Sequence, residues 1–201
     1  VSSAITINAL PSAVVVSPTT TTICANDSPV LLTASGGQGG VGTTTTLINE
    51  NFNGAATGWV TTNLSVGGTP ANAAWTLRPN GHSYSSVTFN SNDASQFYLS
   101  NSDAQGSGST STLTTLTSPA FSTVGAASGT INFFHYFRAS DAGRVQYSTD
   151  GTNFTTITTY STNQGAATAF ANVSLALPAA ALNQPTVYIR FRYEAPWGGD
   201  R

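Results

Sequence analysis

The side chains that could do chemistry are few and scattered. The histidines are His82 and His135, and the single thiol is Cys24. Neither histidine has a second histidine or a cysteine at metal-ligand spacing, and no Gly-x-Ser-x-Gly elbow prepares a serine for attack. His135 shares strand parity with Ile131, Phe133 and Phe137 and reads as a packed core or rim residue; His82 follows Asn80-Gly81 and reads as an exposed loop residue. Paired carboxylates could hydrolyse a glycosidic bond. The candidates are Glu50, Asp93, Asp103, Asp141, Asp150, Glu194 and Asp200, and they do not cluster on one strand. Glu194 shares a strand face with Arg190 and Arg192, where an ion pair is the plainer reading. The chain is therefore expected to be non-catalytic.

Binding chemistry is better represented. Asn90-Ser91-Asn92-Asp93 and Ser100-Asn101-Ser102-Asp103 carry the oxygen ligands that calcium takes. The same residue types also make turns by bonding their own backbone, and both readings stand. Phe134, Tyr136 and Arg138 fall on one face of one strand, and Tyr188, Arg190 and Arg192 on one face of another. If those strands neighbour in one sheet, aromatic rings and guanidinium groups form a patch suited to sugar stacking or to acidic glycans. Covered by loops or by a neighbouring domain, the same residues are packing.

The elements that would position these groups are strands. Charged residues are 7% of the 201, against about 25% in an ordinary soluble domain. Lysine is absent, and six arginines against eight acids leave a net charge of −2, which excludes a basic field for nucleic acid. With 39% hydrophobic and 10% aromatic residues, the chain is not of disordered composition. No apolar run reaches the roughly 18–20 residues of a membrane span. The vocabulary is Thr, Val, Ser, Tyr and Phe, that of strands and turns. Thr130–Arg138 has aromatics on both faces and reads as a central strand covered on both sides, or as one lining a groove. Arg144–Thr149 and Asn153–Tyr160 flank Asp150-Gly151, a hairpin signal. Thr168–Leu177 and Thr186–Glu194 add two more strands. Ser3–Leu10, Ala13–Ser17, Thr21–Cys24 and Pro29–Ala34 read as short strands before a Gly-rich stretch, and no aromatic residue precedes position 47. No signal peptide opens the chain, which reads as a segment of something longer, with Cys24 pairing outside it or remaining a buried free thiol.

Several motifs then carry a family resemblance. Glu50-Asn51-Phe52-Asn53 with Gly58-Trp59, Trp75, Phe97-Tyr98-Leu99-Ser100, Leu116–Phe121, Val145–Gly151 and Val187–Phe191 resemble, in order and spacing, the jelly-roll domain of bacterial surface proteins. That group comprises the cleaved-adhesin and choice-of-anchor modules, which are MAM-like in fold. Thr22–Ala25 and Leu31–Gly37 resemble the start of an immunoglobulin-like repeat of the large adhesins of Bacteroidetes-type bacteria. The resemblance implies an all-β fold: a jelly-roll β-sandwich preceded by partial Ig-like strands. Residues 1–11 would be the last strand of a preceding repeat, 12–35 the first strands of an Ig-like domain, 36–46 a Gly/Thr linker, and 47–201 a jelly roll lacking its closing strand. It further implies an extracellular or cell-surface location, type IX secretion, and a part in attachment or gliding. The partner would be a surface glycan or polymer, or neighbouring repeats of the same chain; a purely structural spacer is the alternative. It also implies a structural calcium beside Glu50 and Asn51, with Asn92, Asp93 and Asp103 as further ligand candidates.

Overall fold

The computed structural model describes residues 3–9, 15–17, 33–35, 44–54, 56, 58–106, 111–139 and 142–196. Cys24, Asp141, Asp200 and most of the Gly-rich stretch lie outside the described residues. In chain order the strands are β1 (Ser3–Ala9), β2 (Val15–Ser17), β3 (Thr33–Ser35), β4 (Thr45–Glu50), β5 (Val60–Asn63), β6 (Thr76–Arg78), β7 (His82–Tyr84), β8 (Val87–Phe89) and β9 (Phe97–Leu99). A single helical turn, α1 (Ser102–Gln105), leads to β10 (Thr112–Thr117), β11 (Ala126–His135), β12 (Ala142–Ser148), β13 (Thr155–Tyr160), β14 (Ala171–Ala176) and β15 (Tyr188–Ala195).

The result is an all-β sandwich. One sheet runs β14-β11-β1-β4 and the other β13-β12-β15-β10-β5, while β2-β3, β6-β9 and β7-β8 form two-stranded ribbons. The pairings within both large sheets are antiparallel. From β10 onward the chain passes back and forth between the sheets. Period-two alternation then explains the core. Ile5, Ile131 and Phe133 point inward from the first sheet, and Val145 and Ile189 from the second, with Leu47, Ile48, Val173, Tyr147 and Phe191 packed around them. The Phe133 and Phe191 rings meet edge to face, 5.1 Å apart, so an aromatic contact spans the two layers.

β1 departs from the sequence expectation. The resemblance places residues 1–11 in a preceding repeat, whereas β1 is an interior strand of this sandwich. It pairs with β11 from Ser3↔Phe133 to Ala9↔Ala126 and with β4 from Ser3↔Glu50 to Ile7↔Thr45. Ile5 is 2% exposed, inside the main core. Strand alternation marks residues 3–9 as a strand, but only the long-range pairing decides which sheet receives it. The expected linker is likewise shorter at its end, since Thr45 and Thr46 already belong to β4. β2 pairs with β3 in register Val15↔Ser35 to Ser17↔Thr33; the rest of residues 12–35 lies outside the described residues.

The hairpin at Asp150-Gly151 is present, joining β12 to β13. Gly151 has φ of +74°, a left-handed conformation that favours glycine. Asp150 Oδ1 accepts bonds from the backbone N–H of Thr152 at 2.8 Å and Asn153 at 2.7 Å and from Ser148 Oγ at 2.9 Å, and Oδ2 accepts from Asn153 Nδ2 at 2.8 Å. These bonds, led by those from Asn153, hold the Asp150 carboxyl far below the usual carboxylate range. Replacing it with alanine releases every one of them, so Asp150→Ala is expected to lower the melting temperature at pH 7 and to lower it less at pH 2, where the carboxyl of the unfolded chain is protonated. A thermal melt at the two pH values checks this.

Candidate functional site

The outer face of the five-stranded sheet is where charge gathers. On β15, Ile189 is buried inward, so Tyr188, Arg190, Arg192 and Glu194 project from the opposite side. Register fixes their neighbours. Arg192 lies between Thr115 of β10 and Arg144 of β12, Arg190 between Thr117 and Gln146, and Tyr188 beside Ser148. Three of the six arginines of the chain thus share one face with one acid, Glu194, among the described residues.

Their contacts are specific. Glu194 accepts ion-paired bonds from Arg144 and Arg192. Burial raises the Glu194 carboxyl, but the bonds and charges of these two arginines outweigh it and hold its pKa below the usual range. Arg190 is placed differently. Its guanidinium lies over the Phe154 ring, 3.6 Å from the centroid, and its Nε donates to Gln146 Oε1 at 2.9 Å. Burial, then the charge of Arg192, lowers its pKa, although a guanidinium stays cationic at neutral pH. The Tyr188 ring covers the hairpin tip, its Cε2 3.2 Å from where a Cβ on Gly151 would stand. The face is therefore a flat layer of Tyr, Arg and Phe in which Arg190 is cationic, stacked and without a carboxylate partner among the described residues. Val60 and Leu64, at 58% and 60% exposure, extend it toward the β5 edge.

The two halves of the expected patch are not neighbours. Tyr188, Arg190 and Arg192 stand on β15, whereas Phe134 stands on β11 in the other sheet. Phe134 and Tyr136 pack instead against a second apolar cluster of Phe89, Phe97 and Phe170, and the Tyr136 ring lies 6.1 Å from Phe89. The loops between β5 and β10 thus cover that end of β11, which accounts for its aromatics on both faces. Arg138 follows β11, beyond the Phe137↔Gln164 bridge. The single patch built from both strands is corrected to one face centred on β15. Arg144, Gln146 and Phe154 are members of that face missing from the sequence expectation. Alternation places Arg144 and Gln146 on one side of their strand, but only the β12–β15 register brings them against Arg192 and Arg190.

Of the proposed calcium ligands, Glu50, Asn51 and Asp93 accept bonds from backbone N–H groups two residues on. Glu50 Oε1 accepts from Phe52 N at 2.6 Å, and Asn51 Oδ1 from Asn53 N at 3.1 Å. These bonds brace Phe52, which has φ of +59° and is wedged between Trp59 and Tyr98. Burial raises the Asp93 carboxyl, but hydrogen bonds from the Ser95 hydroxyl and backbone outweigh it and lower its pKa. Asp103 lies in the first turn of α1. Among the described residues no group of three His, Cys, Asp or Glu converges on a metal position. Asn92 joins two loops by a reciprocal pair, Nδ2 donating to Phe170 O at 2.9 Å and Oδ1 accepting from Phe170 N at 3.0 Å. A carboxylate there cannot donate. Asn92→Asp is therefore expected to cost about 1–3 kcal/mol, read by urea unfolding, with calcium restoring none of it.

The histidines complete the inventory. His135 is half-buried between Phe133 and Tyr160, a packed residue as expected. His82 is not a plain loop residue: it opens β7 and stacks on Phe89, 6.3 Å away. Among the described residues no helix is long and apolar enough to cross a membrane. Compared with family models, with curated proteins and with solved structures, the chain has no match.

Proposed function

We propose that this chain is a non-catalytic β-sandwich module of a secreted or cell-surface adhesin, and that it binds an acidic carbohydrate or another anionic surface polymer. The observation that carries this reading is the gathering of Arg144, Arg190 and Arg192 on one sheet face beside Tyr188 and Phe154, in a chain of net charge −2. Planar guanidinium groups pair with carboxylate or sulfate oxygens in a bidentate manner, and an aromatic ring supplies a surface for a sugar ring. The jelly-roll resemblance, the Thr- and Ser-rich composition and the lack of lysine support an extracellular setting in attachment or gliding.

A glycan array probed with the chain, with calcium and with chelator, tests this. Binding to uronate- or sulfate-bearing glycans is expected, and Arg190→Ala or Tyr188→Ala should weaken it by about tenfold or more, roughly 1.4 kcal/mol. Because these contacts are electrostatic, binding should fall as salt rises. Silence across the array, or binding unchanged in both variants, overturns the assignment of this face.

A structural spacer is the second reading, favoured by one observation. Glu194 already engages both Arg144 and Arg192, so two of the three arginines are satisfied internally. In that case Glu194→Gln would alter stability and no binding would be found.

A further inference from the structure

β1 joins the four-stranded sheet by pairing with strands remote from it in sequence. It is an interior strand, paired on both sides, and it reaches β4 only through residues 10–44. It is also the sole sheet partner of β4. Take β1 away and β4 loses its place, the β1-facing edge of β11 shows unpaired N–H and C=O groups, and the core position filled by Ile5 opens.

The strand has the complementary need. Residues 1–26 contain no charged side chain, so Ser-Ala-Ile-Thr-Ile-Asn-Ala lacks the charges that keep a free strand from pairing. Its docking uses main-chain hydrogen bonds to β4 and β11, the Thr6–Thr130 hydroxyl contact at 3.3 Å, and Ile5 in the core. Every one of these contacts is the same whichever copy of the chain supplies the strand.

We infer that the cleft between β4 and β11 is a strand-acceptor site, and that in an assembled state its occupant is β1 of a second copy of this chain. Copies then link by strand exchange, each giving one strand and taking one. Reciprocal exchange closes a dimer; head-to-tail exchange leaves an open fibre. A connection of this length sets the effective concentration of a copy's own strand on the order of millimolar. Dilute chains therefore fill their own cleft, and crowded chains link. Exchange is slow once folded, because β1 must first leave the core.

The full chain carrying Ala4→Cys and Asn49→Cys, register partners across β1 and β4, with Cys24→Ser to remove the native thiol, tests this. It is unfolded, refolded at about 5 μM, far below that effective concentration, and at about 500 μM, close to it, oxidised, and run on a non-reducing denaturing gel. The expected result is an internal link at the lower concentration, and covalent dimers and longer ladders at the higher, all collapsing to monomer with reductant. Light scattering of the unsubstituted chain refolded in the same way should give integer multiples of the monomer mass only at the higher concentration. Monomers by light scattering at both concentrations overturn the inference, whatever the cysteine variant does. Multiples accompanied by internal links alone overturn it as well, because the copies then join through another surface.

Discussion

Ile5→Ala is expected to lower the unfolding free energy of the whole sandwich by about 2–4 kcal/mol. Ile5 is 2% exposed and its register partner Ile131 is 1% exposed, so the two alanine variants should cost similar amounts. The cavity left at either place lies between the same layers, against Val145 and Ile189. Val60→Ala is the control. Val60 is 58% exposed on an edge strand, and its truncation should stay within about 0.5 kcal/mol. Urea unfolding followed by tryptophan fluorescence checks all three, since Trp59 stacks on Phe191 at the core boundary. If Ile5→Ala leaves the transition where it is, β1 has no part in this core and a domain boundary at residue 11 stands.

That comparison bears on what could be read from the residues alone. β15 was legible because its apolar and polar residues alternate over eight residues, long enough for period two to stand out, and β11 because its aromatic and β-branched run has strand composition. The β12–β13 hairpin was legible because Asp150-Gly151 is a local signal. The place of β1 was not, because its partner Thr130 is 124 positions from Thr6, and nothing in a strand's own sequence names a partner that remote. The same gap explains the divided patch. Alternation states which residues share a face of one strand, but not that β11 and β15 lie in opposite sheets. Residues 51–106 were the least legible. Their ribbons are only three residues a side, and their loops are shaped by single side-chain bonds such as Asn53 Oδ1 to Gln96 N at 3.0 Å.

The second large effect is acid sensitivity set by His135. Burial among Phe133 and Tyr160 lowers its pKa to about 4, and its Nε2 is buried without a hydrogen-bond partner. In the unfolded chain the ring titrates near 6.5. Above about pH 6.5 both states hold it neutral, and it contributes nothing to the pH dependence. Between about 6.5 and 4 the unfolded chain takes up a proton that the folded chain refuses, so stability falls as pH falls, and the loss is complete below about 4. The full shift corresponds to roughly 3 kcal/mol; discounted for the partial solvent access of the ring, the expected loss is about 2 kcal/mol. His82 acts in the same direction and more weakly, its pKa lowered by burial and then by the charge of Arg78. The carboxylates act lower on the scale. Asp150 and Glu194 have depressed pKa values, so their stabilisation is whole above about pH 4 and is lost only as pH falls further. The two windows separate the two causes. His135→Phe places a ring where no hydrogen bond is given up, so it should flatten unfolding free energy between about pH 7 and 4.5 while leaving the steeper loss below pH 4 in place. Urea unfolding at about pH 7, 5.5 and 4.5 checks it. A His135→Phe chain that loses as much stability over that range as the parent would show that the imidazole is not the group that titrates.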